Sequence, residues 1–350
     1  MPCQAWGFLD MMEPSQWCEN FGQWKYFRNF LDRGLLVSIL DKLVVMALPL
    51  APKSLVKRFA SRYVAGETME EMLETVRQFN QRGMMATVDV LGEFIHRKDE
   101  ALQAAQEYKK ILAAISREKL DANISVKLSQ MGLLLDHDLC YEIMEDLIVT
   151  AAKYRNFVRI DMEDSACTTD TIKVYLNLRR KFDNVGIVLQ AYLRRTLGDT
   201  REITKELDRL GVAANFRLCK GIYVEPRLIA FKDHKLINKN YILVLEDMFK
   251  SRAYVGIATH NEELVWEAMR LIDYYHPRHE DYEFQMLLGV DPELRHIILD
   301  GGHRLRVYVP YGKHWYAYCM RRLKENPGLA WHIIKNLFSP GDLSREELLS

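Results

Sequence analysis

Short runs of apolar, often β-branched residues recur along this chain, separated by stretches whose apolar positions fall every three or four residues. The runs are Met84–Leu91, Asn123–Leu128, Phe157–Met162, Val185–Tyr192, Ala213–Lys220, Ala253–Thr259, Tyr282–Leu288 and Arg304–Val309. They read as strands. Between them lie helical patterns such as Leu139–Tyr154, Thr200–Leu210 and Glu262–Tyr275. Thr68-Met-Glu-Glu71 marks the start of an earlier helix, with hydroxyl and carboxylate placed to cover its free amides. Met69, Leu73, Val76 and Phe79 then share one face, and Gly83 ends the pattern.

Spacings of roughly 25–40 residues fit successive βαβ units. Eight strands alternating with helices over about 250 residues predict an α/β fold, a (β/α)8 TIM-type barrel. An open doubly wound sheet is the competitor, but the chain has neither GxGxxG nor a Walker A loop. Residues 1–66 differ in character, with Trp6, Trp17 and Trp24 crowding the start. They read as N-terminal helices outside the barrel. The catalytic barrel is expected over 67–338, with a helix after the eighth strand over its mouth, and 339–350 as a tail.

The 350 residues are 49% hydrophobic and 27% charged, an ordinary globular composition long enough for a large core. Lysine plus arginine equals aspartate plus glutamate, 48 each, so no basic field draws in nucleic acid. Six scattered cysteines without a CxxC, and no secretion signal, predict a cytoplasmic protein with reduced thiols. The apolar stretch Leu35–Ala51 carries Asp41 and Lys42 and reads as a buried or surface helix. The helix around Leu329–Phe338 reads as a barrel cap. Peripheral contact with the inner face of the membrane stays open, as does a homo-oligomer.

Barrel strands are covered on both sides and should be nearly all apolar. Lys127, Arg159, Asp161, Gln190, Arg217 and Gln285 break that rule near successive strand ends, where barrel active sites lie. Buried charges are costly unless paired. Their repetition predicts a polar ring around a ligand. Lys127 is expected to pair with Asp161 across adjacent strands. Arg217, Lys220, Arg321 and Arg322 then leave an excess of cations, which asks for an anionic ligand. An arginine pair on a helix is ordinarily a solvated face. Directly after the eighth strand, its two guanidinium forks are placed to grip one carboxylate. Metal chemistry finds no support, since neither HxH nor HExxH occurs and His276 and His279 read as a solvated loop. No GxSxG nucleophile elbow is present.

These strand-end residues carry a resemblance. Ile124-Ser-Val-Lys-Leu-Ser-Gln-Met-Gly132, Arg159-Ile-Asp-Met-Glu-Asp-Ser165, Leu189-Gln-Ala-Tyr192 and Arg217-Leu-Cys-Lys-Gly-Ile-Tyr-Val-Glu-Pro226 resemble motifs of the proline dehydrogenase family. So do Ala258-Thr-His-Asn261, Phe284-Gln-Met-Leu287, Tyr308-Val-Pro-Tyr-Gly312 and Tyr318-Cys-Met-Arg-Arg322, and the likeness covers about residues 60–327. It implies oxidation of L-proline to Δ1-pyrroline-5-carboxylate by hydride transfer to FAD N5, with electrons passed to a quinone. The length implies the monofunctional form, without a fused aldehyde dehydrogenase.

The resemblance further implies that Lys127, Arg321 and Arg322 hold the substrate carboxylate and that Asp161 orients the lysine. Leu287, Tyr308 and Tyr318 match residues packed on the proline ring. Gln190, Arg217, Lys220, Gly221, Tyr223, Thr259, His260, Asn261 and Gln285 match flavin contacts. Glu93 matches an acid that pairs with Arg321 and closes the site. Lys127, Asp161 and Arg217 are thus the candidate catalytic set. Ile222 and Leu288 depart from the residues usual in the family. Two readings compete: a Schiff-base aldolase using Lys127 or Lys220, and a non-catalytic metabolite-binding barrel.

Overall fold

The computed structural model describes residues 62–92, 95–316 and 318–319. The calls on residues 1–61, on Leu329–Phe338 and on 339–350 lie outside the described residues, as do Glu93, Arg321 and Arg322.

Eight parallel strands close into a barrel: β1 (Met85–Val90), β2 (Ala122–Lys127), β3 (Val158–Asp161), β4 (Val185–Gln190), β5 (Asn215–Cys219), β6 (Tyr254–Ala258), β7 (Tyr282–Leu287) and β8 (Leu305–Tyr311). Each apolar run of the sequence became one of them. Closure runs through β1 and β8, where Thr87 stands opposite Tyr308 and Asp89 opposite Pro310. The open-sheet alternative is therefore excluded.

Helix α1 (Met69–Gln81) precedes β1 and carries the capping box between Thr68 and Glu71. Met72, Leu73, Val76 and Phe79 are its buried face. Burial stabilises each such side chain by about 1.5–3 kcal/mol. The following helices are α2 (Lys98–Glu118), α3 (His137–Lys153), α4 (Ser165–Arg179), α5 (Thr196–Asp208), α6 (His234–Lys250), α7 (Glu262–Tyr275) and α8 (Pro292–Asp300). Asp136, Asp164, Asp233, Asn261 and Asp291 each accept an amide at the start of the helix they precede. Such caps are worth about 1 kcal/mol apiece and set where each strand-to-helix turn ends.

The core lies between the sheet and the helical ring. Outward strand residues such as Val88, Ile124, Val126, Ile160 and Ile187 are fully buried there. The alternate residues face the lumen, and these carry the charges. Two lumen glycines make room for them. A Cβ on Gly186 would stand 2.3 Å from Arg159 Nη1, and one on Gly256 would stand 2.5 Å from Gln285 Nε2. Residues 62–66 belong to the same body: Ala65 N–H donates to Pro310 O at 2.9 Å, and Gly312 N–H donates to Gly66 O at 2.9 Å.

Candidate active site

Inside the lumen the polar side chains form one continuous chain of contacts. Near the amino ends of the strands, Arg306 of β8 grips Glu283 of β7 with two bonds, Nε to Oε1 at 2.6 Å and Nη2 to Oε2 at 3.1 Å. Gln285 Nε2 donates to the same Glu283 Oε1 at 2.6 Å. Gln285 Oε1 in turn accepts from Arg217 Nε of β5. Arg217 then reaches across the barrel, donating from Nη1 to Asp161 Oδ1 of β3 at 2.8 Å and to Ser125 Oγ of β2 at 3.1 Å. Asp161 closes the ring by accepting from Tyr308 of β8 at 2.8 Å and from Ser125 at 2.5 Å.

Burial sets the electrostatics. It pushes the Glu283 carboxyl upward, but the Arg306 guanidinium outweighs it and holds the group at about 2. Burial lowers Arg159 to about 9, helped by the like charge of Arg217. Among the described residues Arg159 has no carboxylate partner in hydrogen-bonding contact and donates instead to the Ile187 and Asn215 carbonyls at 3.3 and 3.1 Å. The Tyr308 phenol is pushed well above its ordinary range by burial and by Asp161 and Asp89. It therefore remains a donor to Asp161 through the whole working pH range.

The expected Lys127–Asp161 pair is replaced. Lys127 Nζ binds both carboxylate oxygens of Asp89 on β1, each at 2.8 Å, while Asp161 takes Arg217. Lys127 and Asp161 are direct register neighbours, but parallel pairing fixes Cα positions and not the lean of the side chains. Asp89 pairs in register with Ser125, two residues before Lys127, so the lysine bends back toward β1. Burial raises the Asp89 carboxyl, Lys127 opposes the rise, and Asp161 adds to it. The Tyr108 hydroxyl from α2 stands 3.4 Å from Asp89 and 3.4 Å from Gln130. Asp89, Ser125, Glu283 and Arg306 were not among the expected site residues. Their signal was present as polar residues alternating with apolar ones in β1, β2, β7 and β8.

The remaining candidates border this ring. Gln190 donates to Met162 O at 3.3 Å. Lys220, Gly221 and Tyr223 lie on the β5–α6 loop, where Gly221 has φ +99 and a Cβ would stand 2.0 Å from the Tyr192 ring. Burial lowers the Lys220 amine, partly offset by Glu263. Thr259, His260 and Asn261 form the turn after β6, and Asn261 is the N-cap of α7. His260 Nε2 accepts the Leu287 N–H at 2.8 Å, which requires a ring protonated on Nδ1 alone. That bond ties the β6 turn to the β7 end carrying Leu287. Tyr318 is buried, near enough to Tyr308 to add to its upward shift. Glu93, Arg321 and Arg322 cannot be placed, lying outside the described residues.

Among the described residues, the buried polar atoms without a partner in and beside this ring include Gln190 Oε1, Arg217 Nη2 and Arg159 Nε. Leaving such groups unsatisfied costs about 1–3 kcal/mol each. An unpartnered acceptor and unpartnered guanidinium donors beside a ring of fixed charges suit a polar molecule that both donates and accepts hydrogen bonds. Among the described residues no group of histidine, cysteine or carboxylate side chains could hold a metal ion. His276 and His279 are exposed, as the solvated-loop reading expected. No disulfide joins the four described cysteines, Cys140, Cys167, Cys219 and Cys319.

Comparison with known proteins bears on what the ring holds. Residues 72–330 match the family model described as proline dehydrogenase. "Proline dehydrogenase 1" of Bacillus subtilis is 34% identical over 278 residues, covering 79% of this chain and 90% of the relative. The proline dehydrogenase of Deinococcus radiodurans is 33% identical over 283 residues, covering 79% and 89%. The solved structure of proline utilization A from Bdellovibrio bacteriovorus, inactivated by N-propargylglycine, superposes with a TM-score of 0.72. It is 24% identical over 83% of this chain, which spans 35% of that longer protein, and so supports the barrel alone.

Proposed function

This chain belongs to the proline dehydrogenase family, and from that premise we propose that it oxidises L-proline to Δ1-pyrroline-5-carboxylate with FAD held at the barrel mouth and a quinone as final acceptor. The reaction is the first step of proline breakdown toward glutamate. The observation that carries the reading is the Arg217–Asp161–Tyr308 relay beside the Lys127–Asp89 pair. It places a fixed cation, a fixed anion and an aromatic face within one lumen, which a small zwitterion with an aliphatic ring can use.

FAD would supply hydride acceptance, and the residues present suit it. Gln190 and Arg217 each keep an unpaired polar atom, and Gln285 fixes Arg217 from behind. Arg217 is thereby held where it stabilises negative charge on a neighbouring ring. The Lys127 ammonium, fixed against Asp89, supplies positive charge for the substrate carboxylate. Arg321 and Arg322 complete the carboxylate grip in this reading, and Glu93 closes the site over it. Holding the carboxylate presents the ring carbon to the cofactor, and such positioning alone is worth about 7–11 kcal/mol of a barrier. Leu287, Tyr308 and Tyr318 bound the space left for the ring. Lys220, Gly221, Tyr223, Thr259, His260 and Asn261 serve the rest of the cofactor. The enzyme works in the cytoplasm against the inner face of the membrane.

The same geometry disfavours Lys127 as the nucleophile of an aldolase. A lysine bound at 2.8 Å to both oxygens of a buried carboxylate is held as ammonium and is a poor nucleophile. The test is reduction of a soluble dye by purified protein. Dye reduction that needs both L-proline and bound flavin is expected. A carbonyl substrate trapped on Lys127 or Lys220 by borohydride, with no proline-dependent reduction, would refute the proposal.

A further inference from the structure

The most exposed large apolar side chains among the described residues sit together on the loop leaving β5. Val224 is 98% and Leu228 91% exposed, and Ile222 and Ile229 are also exposed. Apolar residues this open are ordinarily scattered. Their backbone is firmly tied, so they are not folded out by chance. Ala230 forms an antiparallel bridge with Leu193, Arg194 N–H donates to Ile229 O at 2.9 Å, and Phe231 N–H donates to Tyr192 O at 2.8 Å. Glu225 anchors the near side by accepting the Ser165 N–H and hydroxyl, both at 2.7 Å. The turn Pro226–Ile229 therefore projects as a fixed knuckle.

The knuckle is ringed by positive charge. Arg194, Arg227 and Lys235 are exposed in the flanking segments, as is Lys232, whose Nζ donates to Glu225 O, and Asp233, the N-cap of α6, is the one exposed carboxylate within residues 222–235. Arg194 is itself fixed, its Nε donating to Arg227 O at 2.8 Å and its guanidinium lying 4.4 Å from the Phe231 ring centroid. We propose that this β5–α6 knuckle is the surface by which the protein touches a lipid bilayer bearing anionic headgroups. Aliphatic tips enter the acyl boundary while flanking cations stay at headgroup level. Each such cation contributes to attraction and loses it as salt rises. A protein partner is the poorer occupant. Protein hot spots favour Trp, Tyr and Arg in a concave, well-packed patch and under-represent Leu and Val. The inference rests on the reading above for its purpose, since a quinone dissolves in the bilayer and the knuckle adjoins the cofactor residues Lys220–Tyr223.

The test keeps clear of those residues by using Leu228→Asp and Arg227→Glu in the flavin-loaded full chain. Sedimentation with vesicles of equal phosphatidylcholine and phosphatidylglycerol is compared with pure phosphatidylcholine vesicles. Wild type should bind the anionic vesicles and be released by high salt. Each variant should bind about tenfold more weakly or worse, with proline-dependent reduction of a soluble dye unchanged. Failure of dye reduction in wild type would remove the enzymatic reading but not the vesicle result. Wild-type affinity for vesicles in both variants would overturn the inference, as would no binding by wild type. Loss of flavin in Leu228→Asp would overturn it in favour of a cofactor lid, and a dimer that dissociates in that variant would overturn it in favour of a second copy.

Discussion

Asp161→Asn isolates the residue on which the lumen network converges. The substitution keeps the shape of the side chain and removes its charge. Asp161 accepts three donors, Ser125 Oγ at 2.5 Å, Arg217 Nη1 at 2.8 Å and Tyr308 Oη at 2.8 Å. An amide has one acceptor oxygen, so its NH2 must face at least one donor. Among the described residues, Arg217, 5% exposed, then keeps only neutral hydrogen-bond partners, Gln285 and Ser125. Removing one member of a buried pair costs about 3–5 kcal/mol, because the other charge stays buried. Urea unfolding should show a midpoint lowered by that free energy divided by the slope, with the slope itself unchanged. Thermal melts should fall by roughly 6–20 °C. Proline turnover by the variant should fall more than flavin retention does, since Arg217 and Tyr308 both lose their anchor. A stability loss under about 1 kcal/mol would show that the Arg217–Asp161 contact is not a buried ion pair in solution, and the reasoning would fail.

Glu283→Gln should be destabilised by about 3–5 kcal/mol near neutral pH, because Arg306 loses its carboxylate. In wild type the depressed Glu283 value means that its stabilisation is fully present above the unfolded value near 4.5 and is lost as pH falls toward about 2. The difference in urea midpoint between wild type and Glu283→Gln should therefore shrink across that window, and a constant difference would contradict the assignment. Arg322→Met should keep its yellow cofactor yet bind proline at least about tenfold more weakly, from the loss of a charge-assisted contact, and unchanged affinity would remove Arg322 from the carboxylate site. If Tyr308 bounds the substrate ring as proposed, kcat/KM for proline should exceed that for 4-hydroxyproline, and equal values would count against that role.

The strands were legible because each is a short apolar run bounded by turn chemistry, and the barrel because eight such runs alternate with helical periods. The candidate site was legible as a violation: Lys127, Asp161, Arg217 and Gln285 stand where an apolar strand has no use for polar groups. Partner choice was not legible. Register makes Lys127 and Asp161 neighbours, but the long Arg217 side chain crosses the lumen to take Asp161, and the lysine turns to Asp89. Side-chain reach and strand stagger decide that outcome, and neither is written in a linear pattern. The Glu283–Arg306 pair was missed for another reason. It lies toward the amino ends of β7 and β8, away from the strand ends where catalytic groups are sought.

The central claim is that the fixed charges of this lumen hold proline beside an oxidised flavin. The visible absorption spectrum of the purified protein, recorded without oxygen before and after adding L-proline, tests it most directly. A yellow protein whose flavin band bleaches with proline, and not with an equal amount of an unrelated amino acid, is the expected result. A colourless protein that does not take up FAD, or a flavin band indifferent to proline, would contradict the account.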